Sequence, residues 1–401
     1  MSERSIQSMQ APLLSRLDGD FSNPPPPCPN PCIAIRTSVR ALQGMQKEAI
    51  VHYAPTGAVW RMFCDEGPYL NGTDLAPYPL AFFSAGLAAS YLSELHALAG
   101  AQGVYPAGIQ FIQDQHYGMQ GSAIRGTMAA SAAPAQLTAC EIPAGSNTEQ
   151  ISRMLSDSVA ASPADTLLRT RLANTFSLTC NGSRIDLPNG HKTTAPACAD
   201  PAPLFDRVQM AKHPMATTQM IQKLSTGDTV FGVPGGVGTS LAPEQKRPVH
   251  LRAMARMNDD GMKSIDVRLM QPIGSDFHFC SDNSRLAGGQ ERAPSGLAFL
   301  SAGIAFCFMT QLGRYAQIVK QHLHDYRVVQ DTLFSVPGSV SGPAETWVQP
   351  VRTHVFIESD EAPEAARKLL QMGEQTCFVH AACRTANKTR VRPISQPQNE
   401  A

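Results

Sequence analysis

The chain has 401 residues, 43% of them hydrophobic and 16% charged, which is enough apolar content to bury a large core and to exclude disorder as a whole. Lysine plus arginine equals aspartate plus glutamate at 33 each, and no long basic run offers a phosphate footprint, so nucleic acid is not an expected partner. The polar start MSERSIQSMQAPLLSRLDGDF lacks the apolar stretch of a secretory signal, and the longest apolar runs fall short of the roughly 20 residues of a membrane span. With ten scattered cysteines, this predicts a cytoplasmic protein with reduced thiols and no membrane partner.

In chain order, residues 1–31 end in NPPPPCPNPC, where consecutive prolines oppose helix and central strand, and read as a Pro-rich leader or arm. CIAIRTSVRAL and EAIVHYAP suggest strands of an antiparallel sheet. YPLAFFSAGLAASYLSELHALAG is apolar or small on every face until Glu94 and predicts a buried central helix. Mixed strand-like sequence follows (GIQFIQDQHYG, SAIRGTMAA, AQLTACEIP). Two helix starts come next: a capping box at Ser146-Asn-Thr-Glu149, and Ser162-Pro163-Ala164-Asp165 with proline at the first helical position. Residues 181–247, rich in Gly, Pro, Ser and Thr, read as a connector that contains a helix in DRVQMAKHPMATTQMIQKL.

The order then repeats. LAFFSAGLAASYLSEL at 80–95 lies over LAFLSAGIAFCFMTQL at 297–312 at an offset of 217, each copy preceded by a proline, Pro77 and Pro294. RMLSDSVAASPADTLLR at 153–169 lies over KLLQMGEQTCFVHAACR at 368–384 at 215, and VRALQGM at 39–45 is echoed by LRAMARM at 251–257. This predicts a tandem duplication with units at 32–180 and 248–392 and a tail at 393–401. Ser90 falls on Cys307 and Ser162 on Cys377, so only the second unit keeps a cysteine pair.

Cys377, after Gly373 in Thr376-Cys377-Phe378-Val379-His380, should stand where a helix begins and unpaired amides point outward, a setting that favours thiolate. Cys307 sits mid-helix among apolar residues, where a thiol can equally serve as a small core residue. His278 and Cys280 in SDFHFCSD precede that helix. Cys28-Pro-Asn-Pro-Cys32 supplies only two ligands, so no metal and no other cofactor is expected. The run from Gly232 through Gly238 lacks a P-loop lysine and reads as a flexible connector, and His322 and His324 as a solvated helix end.

APSGLAFLSAGIAFC followed about 70 residues later by TCFVH resembles the OsmC/Ohr family, over most of 32–180 and 248–392. The resemblance implies an α+β fold: two OsmC-like units whose antiparallel sheets wrap on buried central helices, joined as an intrachain pseudo-dimer, monomeric or further dimerised. It implies organic hydroperoxide reduction, with Cys307 attacking, Cys377 resolving, a small hydrophobic substrate and a thiol reductant. The glutamate expected near the start of the cysteine helix is replaced by Ser295-Gly296-Leu297, and the family's activating arginine has only Arg40, Arg252 and Arg256 as substitutes. Two alternatives stand beside this. One is a cysteine-nucleophile hydrolase or lyase acting on a carbonyl, with His278 or His380 as base. The other is a non-enzymatic module holding a hydrophobic ligand among Phe299, Phe306, Phe308 and Met309.

Overall fold

The two stretches that are apolar on every face become two helices at the centre of the molecule, and everything else is arranged around them. The computed structural model describes residues 4–21, 23–27, 32–103, 109–141, 147–188, 191–210, 219–227, 236–237, 244–335 and 346–392. The first half runs α1 (Ile6–Met9), β1 (Leu14–Arg16), β2 (Cys32–Ala41), β3 (Lys47–Tyr53), β4 (Ala58–Cys64), α2 (Pro79–Ala101), β5 (Gln110–Gly121), β6 (Ala129–Ala132), β7 (Gln136–Glu141), α3 (Thr148–Ala161) and α4 (Pro163–Arg169). There follow β8 (Thr175–Cys180), β9 (Ser183–Ile185), α5 (Ala202–Met210), β10 (Ile221–Ser225), β11 (Gln245–Met257), β12 (Lys263–Gln271) and β13 (Asp276–Ser281). The chain continues with α6 (Gly296–Ile318), β14 (Leu323–Ser335), β15 (Arg352–Ser359), α7 (Pro363–Thr376), α8 (Phe378–Arg384) and β16 (Arg390–Val391).

The fold is α+β, with two mixed eight-stranded sheets packed on α2 and α6. One sheet has the order β1-β4-β3-β2-β14-β15-β8-β9. The other runs β10-β13-β12-β11-β5-β7-β16, with β6 paired to β5. Each sheet therefore takes a three-strand meander from one half of the chain and continues it with strands from the other half. Val39 on β2 pairs with Ala49 and Val328, and Ala255 on β11 pairs with Ile265 and Phe111.

Between the sheets α2 and α6 touch backbone to backbone. A Cβ at Gly86 would lie 2.5 Å from Leu300 N, and one at Gly303 2.5 Å from Phe83 N, so only glycine permits this crossing. By length and composition α6 could span a bilayer, against the expectation that no run here is long enough; its apolar window is 94% buried inside the fold, which accounts for its composition.

Several local expectations change. The leader is no free arm: β1 pairs with β4, and Leu14, Leu17 and Phe21 are buried. The helix expected in the connector is α5 (Ala202–Met210) in its described part, residues 211–218 lie outside the described residues, and Ile221–Ser225 is strand β10, paired with β13. The cap of α3 is Asn147, whose side chain accepts from Glu149 N and Gln150 N; Ser146 lies outside the described residues. Most of SAIRGTMAA is a turn leading into β6. His322 and His324 flank the start of β14, with His324 on Asp360 at 2.8 Å. Cys32 is disulfide-bonded, a departure from uniformly reduced thiols. Cys28, Gly232–Gly235, Gly238 and the tail from 393 lie outside the described residues.

Candidate active site

Cys307 lies midway along α6 and Cys377 caps α8, and the fold brings them into contact. Both are buried, at 2% and 0% exposure. The Cys377 thiol hydrogen-bonds Cys307, and Cys307 also accepts from the backbone N–H groups of Phe378 and Val379, the first residues of α8. Burial opposes ionisation of Cys307, but these three hydrogen bonds outweigh it and bring its pKa below the ordinary thiol value. Burial, together with the bond it donates to Cys307, drives the Cys377 thiol well up, although it accepts from His380 N at 3.5 Å. Ionisation is thus easier at Cys307 than at Cys377, whose thiol donates to it.

The surroundings come from both halves. Glu66, after β4, accepts from Thr310 Oγ1 at 2.9 Å, one turn beyond Cys307 on α6. Burial raises its pKa, against the pull of Lys47 and Arg247, so an acid group is supplied from a segment far from the start of the cysteine helix. Arg247 on β11 is 4% exposed and lies between two rings, 5.3 Å from the centroids of both Tyr69 and Phe378. Its Nη2 donates to Tyr69 Oη at 3.4 Å, while Nε and Nη1 have no partner among the described residues. None of the three arginines considered from sequence serves here: Arg40 is bound to Glu48, Arg252 to Asp114, and Arg256 is exposed. Sequence reasoning also missed Cys64 and Cys383, two further buried thiols within electrostatic reach of Cys307, both with pKa raised by burial.

His380 and His278 fare differently from one another. His380 touches the pair through its backbone N–H. Its ring packs on Phe308 at 5.0 Å and Phe176 at 5.7 Å, and burial lowers its pKa to about 4. His278 is not brought to the pair. Phe277 and Phe279 point into the core, so by strand alternation His278 and Cys280 face outward. There His278 Nδ1 bonds Asp266 at 2.6 Å and its Nε2 lies 3.4 Å from Cys280 Sγ; the bond to Asp266, then that to Cys280, raises its pKa to about 9. Phe299, Phe306, Phe308 and Met309 are fully buried and pack as core rather than as walls of an open cavity, with Phe82 against Phe299 and Phe306 and Phe279 against Phe299.

In the first half, Ser90 on α2 bonds Ser162 at 2.9 Å, and Ser162 caps α4 by accepting from Asp165 N at 3.3 Å. Asp165 binds Tyr91 Oη at 3.1 Å and Arg169 at 3.1 Å. Among the described residues no three His, Cys, Asp or Glu side chains gather as a metal site.

A pair of buried thiols in hydrogen-bond contact, one on a central helix and the other capping a short one between two sheets, defines a thiol-pair protein of α+β class. Residues 288–392, which hold both cysteines, match the family of OsmC-like proteins, and the chain carries an OsmC-like domain there. A solved OsmC-like hydroperoxide resistance protein from Jannaschia sp. CCS1 is 21% identical over 31% of this chain and 79% of that one, at a TM-score of 0.21. No curated protein matches the chain.

Proposed function

We propose that the protein is a thiol peroxidase that reduces organic hydroperoxides, with Cys307 as the attacking and Cys377 as the resolving thiol. The observation that carries this reading is the bond between the two sulfurs, with Cys307 favoured as thiolate by two backbone N–H donors. In the proposed cycle the Cys307 thiolate attacks the terminal oxygen of ROOH. The O–O bond breaks, RO⁻ leaves and takes up a proton as the alcohol, and Cys307 becomes a sulfenic acid. Cys377 then attacks that sulfur and water departs, leaving a 307–377 disulfide that an external dithiol reduces. Arg247, with two N–H groups unpaired, is suited to hold an oxygen of the substrate, and Glu66 to supply a proton. The hydrolase alternative loses both its bases, since the His380 ring faces Phe308 and His278 lies on the outer face of its sheet.

We also infer that the chain is two copies of one OsmC-like unit, interleaved as a pseudo-dimer. Supporting this are the matched register of the two sheets, the reciprocal glycine contacts of α2 and α6, and a serine pair in the first half bonded as the thiol pair is in the second.

The test is thiol mapping by mass spectrometry before and after one equivalent of tert-butyl hydroperoxide. A 307–377 disulfide should form in the wild type. Cys377→Ser should retain a sulfenic acid at Cys307, and Cys307→Ser should consume no peroxide. Free thiols at both positions after treatment would overturn the reading.

A further inference from the structure

The first half keeps an open cavity beside its serine pair. It measures about 340 Å³, within the range of small-molecule pockets, and lies between α2 and the 283–297 segment. Ser90 lines it, as do Glu94 one turn further along α2, Tyr53 on β3, Asn283, and the apolar Ile33 and Leu297. Leu286, 74% exposed, stands at the rim.

We propose that this cavity is a non-covalent binding site for a small amphipathic amine, anchored by Glu94. Among the described residues Glu94 is the one charged side chain lining it, and its carboxylate has no hydrogen bond or ion pair there. The other polar groups are already engaged. Ser90 is bonded to Ser162, Ser93 to Asn283, and Tyr53 to Ser284. The Lys263 ammonium lies close enough to influence Glu94 but bonds Asn283 Oδ1 at 2.6 Å. Glu94 is half-buried at the cavity wall, and a ligand ammonium supplies the donor that no protein group among the described residues gives its carboxylate while an alkyl or aryl body covers Ile33, Leu286 and Leu297. Ser90 and Ser162 offer none of the redox chemistry of the thiol pair, and the Cys32 sulfur at the wall is already held in a disulfide, so the occupant binds and leaves unchanged.

Charge around Glu94 sets how binding should vary with pH. Burial, against the pull of Lys263, raises the Glu94 pKa to about 7. Lys263 on β12, itself lowered to about 8 by burial, Asp282 beyond β13, which Arg292 binds, and His96 on the same helix are the other charges of this region. Raising the pH ionises Glu94 and discharges Lys263, and both changes favour a cation.

The test is calorimetry on the full chain with 2-phenylethylamine, 2-phenylethanol and phenylacetate as probes. The amine should bind about tenfold tighter than the alcohol, as one charged hydrogen bond allows, and phenylacetate more weakly than either. Its affinity should rise from about pH 6 to about pH 8 while that of the alcohol stays level. Glu94→Gln should bring the amine to the level of the alcohol and leave the hydroperoxide-driven 307–377 disulfide unchanged, which separates this site from the peroxidase reading. Equal binding of amine and alcohol, no binding of any probe, or an unaltered amine affinity in Glu94→Gln would overturn the proposal.

Discussion

His380 shows how one residue can serve through its backbone while its side chain works against the fold. Its N–H supports Cys377, but both ring nitrogens are buried without partners among the described residues. Burial holds its pKa at about 4 in the folded protein, against 6.5 for an ordinary histidine. Between these values the unfolded chain binds a proton that the folded chain does not, so this stability term is complete above pH 6.5 and is lost as pH falls towards 4. A shift of this size amounts to about 3 kcal/mol. His380→Leu keeps the backbone N–H and removes the orphaned nitrogens. It should leave disulfide formation intact and flatten the acid limb of stability, read by urea denaturation at a series of pH values. An unchanged acid limb would show that another group carries it. The same separation applies at Cys307, where, after the Cys377 thiol, the donors that favour thiolate come from the backbone of Val379 and Phe378 and do not depend on what those two side chains are.

At the scale of elements, the crossing of α2 and α6 fixes where Cys307 sits. A methyl group at Gly303 would meet the backbone of Phe83 at 2.5 Å, and backbone cannot step aside as a side-chain tip can. Gly303→Ala should therefore destabilise by roughly 1–3 kcal/mol from overpacking, even after the gain of about 1 kcal/mol in helix propensity. Chemical denaturation of this variant checks the claim, and a more stable protein would refute the tight crossing. These helices were legible in sequence because a stretch apolar on all faces has only one place to go, and Ser162 and Cys377 were legible as caps because each precedes a short helical run. Glu66, Tyr69 and Arg247 were not. Each belongs to a segment with no local motif and reaches the thiol region only through long-range sheet pairing. His278 misled for the complementary reason: closeness in sequence to the cysteine helix says nothing about which face of a strand a side chain takes, and Phe277 and Phe279 claim the inner one.

For the whole molecule the decisive feature is that neither sheet belongs to one half of the chain. Strand β2 finds its neighbour in β14, about 290 residues on, with nine pairs running from Arg40 with Arg327 to Cys32 with Ser335; β11 is paired to β5 from Gln245 to Arg256. Such an arrangement costs loop-closure entropy, but that cost grows only slowly with length, and a covalent link between halves makes their meeting intramolecular. If the chain is a duplicated unit, the second half carries everything a symmetric partner needs: the β11–β13 meander, α6 with Gly303, the β14–β15 hairpin and the caps of α8. Residues 244–401 expressed alone should then fail as a monomer, because β11 and β14 would each present a long unpaired edge flanked by buried apolar side chains. Two copies could satisfy these edges by pairing β11 of one with β14 of the other, crossing their α6 helices at Gly303. The expected product is a homodimer with two thiol pairs per particle, lacking the Glu66, Tyr69 and Cys64 that the first half now supplies. Sedimentation equilibrium gives the mass and thiol mapping gives the pairs. A well-folded monomer would mean that the two halves are not interchangeable partners and that the interleaving is peculiar to the fused chain.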